Sequence, residues 1–172
     1  MATHPERWIA RPVEVEAVIW TGDFHRLPFS WQSHPLIQWD SNWLTLSVTT
    51  IEGDYGTPDI GDYLVFGAAS EMYWSPPNIH TDRHKHVGGI RWVALPVETE
   101  AVLWTGVFED LPDAWQEHPA FEMDSAGLAL TNYRGAITHP RPDLDYIVQR
   151  SGAKFSKVPR AIWEYKYQQV GQ

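Results

Sequence analysis

The segment His80-Thr81-Asp82-Arg83-His84-Lys85-His86 carries the densest set of side chains able to do chemistry. Read as an extended strand, it alternates His80, Asp82, His84 and His86 onto one face. Imidazoles two residues apart on one face can chelate a single metal ion. A metal-dependent hydrolase would use three such ligands and keep one position open for water. The aligned residues in the second half of the chain are Trp163, Tyr165, Tyr167 and Gln169, which are packing residues. The histidine face therefore reads as a polar variant of a packed surface, with metal ligation as the alternative. His34 and His118 each sit in Trp-Gln-x-His-Pro. An imidazole titrates near neutral pH and can serve as acid or base. The competing role, beside a proline, is to cap or pack a helix end.

A further constellation pairs Glu16 with Trp20 and Glu100 with Trp104. An acidic group beside an aromatic plane can hold a ring by hydrogen bonding and stacking. The competing reading is a sheet face covered by a helix or by the other half of the chain. Basic residues gather late in each half: Arg83 and Lys85, then Lys154, Lys157, Arg160 and Lys166. Together, Glu16, Trp20, Glu100, Trp104, Arg83, Lys157 and Arg160 form the expected ligand-binding set. They suit a small anionic aromatic ligand lying between the halves. No P-loop, dinucleotide fingerprint, nucleophile elbow or His-Glu-x-x-His occurs, so nothing demands enzyme chemistry or a cofactor.

These groups are positioned by a chain that repeats itself. Arg7-Trp8-Ile9-Ala10-Arg11-Pro12-Val13-Glu14-Val15-Glu16-Ala17-Val18-Ile19-Trp20-Thr21-Gly22 returns about 84 residues later as Arg91-Trp92-Val93-Ala94-Leu95-Pro96-Val97-Glu98-Thr99-Glu100-Ala101-Val102-Leu103-Trp104-Thr105-Gly106. Leu27-Pro28 and Leu111-Pro112 continue the match, as do Asp62-Tyr63 and Asp145-Tyr146. The repeat is too long for a solenoid unit and long enough for a small folded module. Two modules are expected, 7–89 and 90–172, with Gly88-Gly89 as the link, fused as a pseudo-twofold pair. Modules this small are marginal alone, and ten tryptophans supply large side chains for a core or a ligand pocket.

A net charge of −9 argues against a broad nucleic-acid or anionic-membrane surface. With no cysteine, disulfides and thiolate zinc sites are excluded. No apolar stretch follows Met1, so neither a signal peptide nor a membrane span is expected and the location is cytoplasmic.

The periodicity predicts a strand from Val13 to Trp20 and its copy from Val97 to Trp104. Short helices follow, opened by Pro28 and Pro112. Leu44–Thr50, Leu128–Thr131, Tyr63–Phe66 and Glu71–Trp74 read as strands, and Pro76-Pro77 as a loop. His80–Val87 and Trp163–Val170 read as the last strands. Each module is thus expected to be α+β, mainly antiparallel sheet with one short helix.

Pro12–Gly22, Gly53, Gly61-Asp62-Tyr63-Leu64-Val65, Glu71-Met72-Tyr73 and Pro77 together resemble a family of small phage and prophage proteins with a PGDYG-type motif. The second copy departs from that motif at Leu144, aligned with Gly61, and at Lys154, aligned with Glu71. The resemblance implies a tandem duplication and a phage origin, with no established activity. The resulting expectation is a non-enzymatic accessory protein of the host cytoplasm. It would sequester a nucleotide-like host signalling molecule or block a host factor, as monomer or homo-oligomer. The alternative is a structural virion protein, a capsid decoration or tail accessory.

Overall fold

The computed structural model describes residues 4–150 and 152–171. Its strands are β1 (Glu6–Ala10), β2 (Glu14–Ile19), β3 (Ile37–Asp40), β4 (Thr45–Thr49), β5 (Tyr55–Gly56), β6 (Tyr63–Phe66), β7 (Met72–Ser75), β8 (His84–Gly88) and β9 (Arg91–Ala94). They continue as β10 (Glu98–Leu103), β11 (Phe121–Asp124), β12 (Gly127–Thr131), β13 (Ile137–Thr138), β14 (Asp145–Arg150), β15 (Lys154–Pro159) and β16 (Tyr167–Gln169). Among the described residues, four short α-helices interrupt them: α1 (Phe29–Gln32), α2 (Pro77–Arg83), α3 (Asp113–Gln116) and α4 (Arg160–Lys166). The protein is mostly antiparallel sheet with few short helices, an α+β arrangement. No described helix is long and apolar enough to cross a membrane.

Two compact units divide the chain. The first is Arg11–Pro96; the second joins the segment ending at Ala10 to the chain from Val97. In the first, a five-stranded sheet runs β7-β6-β2-β9-β8 and a three-stranded sheet runs β3-β4-β5. The second has the matching orders β15-β14-β10-β1-β16 and β11-β12-β13. The opening strand of each sequence repeat therefore pairs in the sheet of the other. β9 lies beside β2 with Glu14 opposite Val93 and Glu16 opposite Arg91. β1 lies beside β10 with Ile9 opposite Glu98 and Arg7 opposite Glu100. The repeats 7–89 and 90–172 and the compact units accordingly cut the chain at different places.

The linking residues explain this exchange. Folding a strand back within two or three residues takes a residue at positive φ. None occurs in Arg11-Pro12-Val13 or Leu95-Pro96-Val97, and each proline holds its φ near −65°. The chain therefore passes on through Pro12 and Pro96 into the next sheet instead of folding back into the one it leaves. Matched contacts hold the exchanged strands in place. The Arg91 guanidinium donates to both Glu14 oxygens at 2.5 and 2.9 Å, and Arg7 pairs with Glu98. Of Gly88 and Gly89, expected as the link between modules, Gly88 ends β8 opposite Arg91 and Gly89 enters the β8–β9 hairpin turn inside the first unit, both at positive φ.

The three-stranded sheet packs on one face of the larger sheet. In the first unit, Ile37, Leu46 and Val48 meet Trp20, Leu27, Trp31, Leu64 and Met72 in one apolar core. Phe121, Leu128 and Leu130 meet Trp104, Leu111, Trp115, Ile147 and Phe155 in the second. The opposite face of β2 and β6 carries Val15, Ala17 and Val65. There α2 brings down His80 against Tyr63 and Trp92.

The sequence reading of one helix per repeat is short by one. Where a loop and then a strand from His80 were expected, Pro77 opens α2, and the strand begins only at His84. In the second repeat α4 likewise takes the first half of the stretch expected as strand. A proline is well placed in a first helical turn, because its missing N–H would have no intrahelical acceptor there.

Candidate functional site

Two places carry functional groups in arrangements the core does not require. The first is the aromatic box around His80. Its ring stacks on Tyr63 at 4.4 Å and on His84 at 4.5 Å, and meets Trp92 edge-on at 4.6 Å. The second unit builds the same box from Trp163, Tyr146, Tyr167 and Trp8. His80 is only 1% exposed, and neither ring nitrogen has a hydrogen-bond partner in the protein. Burial, reinforced by neighbouring His84, pushes its pKa down to about 4.

The four residues expected to share one strand face are split by this arrangement. His80 and Asp82 are helical, whereas His84 and His86 lie on β8. The Nδ1 of His84 contacts the His80 carbonyl oxygen at 3.2 Å, and His86 Nε2 contacts the Gly89 carbonyl oxygen at 2.9 Å. Among the described residues, no group of three or more His, Asp or Glu side chains is placed to hold a metal ion.

His34 and His118 have structural partners too. Their Nδ1 atoms accept the N–H of Leu36 at 3.2 Å and of Ala120 at 3.1 Å. Each ring packs edge-on against a phenylalanine, Phe66 or Phe155. They fix the turn that leaves α1 or α3.

The expected ligand-binding set is distributed over both units. Trp20 and Trp104 are 4% and 3% exposed, each inside its own unit's core, so neither presents a ring face for stacking. Glu16 is half-buried on β2 and Glu100 exposed on β10. Arg83 ends α2 in the first unit, while Lys157 and Arg160 belong to the second. Lys157 donates to the His139 carbonyl oxygen at 3.3 Å, and Arg160 to Glu164 at 2.8 Å.

The second place is the outer face of the small sheet in the first unit. Leu46 and Val48 of β4 point into the core, which sends Thr45, Ser47 and Thr49 outward. Opposite them stand Asp40, Gln38 and Tyr55. At one end, the β3–β4 hairpin holds up Trp43, 80% exposed; at the other, Tyr55 is 77% exposed. Gln38, Trp39, Asp40, Ser41, Asn42, Trp43, Thr45 and Ser47 line a shallow, open concavity of about 620 Å³. Asp40 Oδ1 accepts the N–H groups of Asn42 and Trp43, at 2.9 and 3.2 Å, and so braces the hairpin.

Sequence reasoning did not single out this face. A signal was present: four residues separate the paired Asp40 and Thr45, against two between Asp124 and Gly127. Trp43 and Leu44 lie in the longer loop, and Leu44 adopts φ 52°. A bulky side chain at positive φ is uncommon and strained. Comparison with family models, with curated proteins and with solved structures found no match.

Proposed function

We propose that the protein acts by binding rather than by catalysis, and that recognition lies on the outer face of β3, β4 and β5. The observation carrying this reading is Trp43, a large ring held in solvent by a hairpin longer than its counterpart in the second unit. The scaffold folds without it there, so the exposed ring answers no need of the core. An exposed aromatic body beside polar groups suits a ligand with one apolar face and several hydrogen-bonding ones.

The phage origin belongs to the same proposal, with a role as accessory protein acting on a host factor or host molecule. So do descent of the two units from one duplicated module and the pseudo-twofold relation expected of a fused pair. Their matching strand orders support the common descent. A nucleotide-like ligand has less support at this face, whose concavity is lined by no lysine or arginine.

Equilibrium binding of the intact chain to saccharides, nucleotides and peptides, followed by tryptophan fluorescence, tests the reading. At least one ligand should bind wild type, be recovered chemically unchanged, and lose affinity in Trp43→Ala. A panel on which wild type and variant behave alike would remove this face as the site. Turnover of the ligand would remove the non-enzymatic reading.

A further inference from the structure

We infer that the outer face of β3, β4 and β5 takes a neutral oligosaccharide. The inference rests on the reading of this face as the binding site and adds the ligand class. The face offers an amide at Gln38, a second at Asn42, and hydroxyls at Ser41, Thr45, Ser47, Thr49 and Tyr55. Its one carboxylate, Asp40, already accepts two backbone N–H groups through Oδ1. Lysine and arginine are absent from the concavity, which leaves nothing to neutralise a phosphate, sulfate or uronate. Among the described residues, the side chains of Gln38, Asn42, Ser47, Thr49 and Tyr55 have no hydrogen-bond partner, so their donors and acceptors are open to a ligand.

Hydroxyls and amides in number, without cations, match the hydroxyl groups of an uncharged sugar. The two exposed rings match its apolar C–H faces. Trp43 and Tyr55 flank the row of outward residues from opposite ends. Thr45 and Thr49, which mark those ends on β4, are about 13 Å apart from the rise per strand residue. That span calls for a short chain of sugars rather than a single ring.

The second unit supplies a contrast within the same molecule. Its corresponding outer face presents Glu122, Asp124, Ala129, Thr131 and Ile137. It has no aromatic ring at these positions, and Asp124 is tied to His139 at 2.8 Å. The scaffold thus tolerates a face without sugar-binding chemistry, and only one unit carries it.

The test is calorimetry of the full chain against three groups of probes. These are neutral gluco-, manno- and N-acetylglucosamine oligosaccharides from one to six units, oligogalacturonates, and adenosine and guanosine nucleotides. A neutral oligosaccharide should bind, trimers and longer more tightly than monomers. Trp43→Ala should weaken it about tenfold or more, the size of one lost stacking contact. Tyr55→Ala should flatten the dependence on chain length. Both variants should keep the wild-type melting temperature, because both rings are exposed. Binding of charged probes alone, still lost in Trp43→Ala, would overturn the neutral-sugar inference and leave the face as the site. Neutral-sugar binding unchanged in Trp43→Ala would overturn both, as would no binding to any probe.

Discussion

His80 is an imidazole held between a phenol and a second imidazole, with no partner for either nitrogen. A charged ring there would be desolvated beside His84, so the neutral form is favoured in the folded unit. The unfolded chain binds the proton at about 6.5, and the folded unit only at about 4. Between those values the unfolded state carries more protons, so stability falls as pH drops through that window and levels off below it. The full effect amounts to about 3 kcal/mol by linkage. His80→Phe keeps the ring and removes the proton site. Melting followed from pH 7 to pH 3.5 should show the acid-dependent loss reduced by that amount relative to wild type. Equal pH slopes in the two proteins would show that His80 does not carry it. The aligned Trp163 already pointed from sequence to packing, because only a ring that fits the same box can replace another. What the sequence hid was burial without a hydrogen-bond partner, a property of the surrounding fold.

At the scale of elements, alternation made β2 legible, because Val15 and Ala17 lie buried on one face, and β6 and β7 were legible from the glycine turns that open them. The expected strands His80–Val87 and Trp163–Val170 took in the second half of α2 and of α4. Seven residues are only two helical turns, too few to separate a 3.6-residue period from alternation. Pro77 was the better clue, since it sits in the first turn of α2. The Gly-Asp-Tyr motif shows a second difference. The Gly61 N–H donates to the Trp20 carbonyl oxygen; in the second unit Asp143, at φ 58°, makes the corresponding bond to Trp104, and exposed Leu144 is the extra residue. Asp145, just after it, accepts both the Arg141 guanidinium and the Arg141 N–H. Burial works to raise its pKa, but these bonds prevail and hold the carboxyl below its usual range.

The β6–β7 turn makes a sharper element-scale prediction. The buried Glu71 carboxylate folds over Gly67 and accepts the Ala69 N–H at 2.9 Å. A Cβ at position 67 would overlap that carboxyl group. Gly67→Ala must therefore displace a buried, hydrogen-bonded carboxyl group, and should cost about 2–4 kcal/mol by urea denaturation. Gly67→Ala combined with Glu71→Ala, which removes the obstructing group, should be less destabilised than the two single variants summed. Additivity would mean the two positions do not meet.

For the whole molecule, the repeat was legible and the exchange of opening strands was not. Arg7-Trp8-Ile9-Ala10 and Arg91-Trp92-Val93-Ala94 bury the same side chains in the same places, so hydrophobic pattern cannot say which sheet receives which strand. Only the short links through Pro12 and Pro96, which lack a residue at positive φ, decide it. The consequence is measurable in the intact chain, because each exchanged strand brings a tryptophan. Trp8 packs against Tyr146 and Trp163, and Trp92 against Tyr63 and His80. Trp8 is buried and Trp92 half-buried; removing a fully buried indole costs about 3–5 kcal/mol through lost burial and the cavity left behind, and a half-buried one less. Trp8→Ala should therefore accelerate amide exchange in β10, β14, α4 and β16, while β2, β6 and α2 keep wild-type protection. Trp92→Ala should do the reverse, loosening β2, β6, α2 and β8 and sparing β10 and β14. Were each opening strand paired within its own repeat, the two patterns would be interchanged, with Trp8→Ala loosening β2 and β6. Exchange measured residue by residue distinguishes these outcomes, because for Trp8→Ala the affected strands are β10, β14 and β16, more than eighty residues along the chain, and in the alternative they are β2 and β6, within sixty.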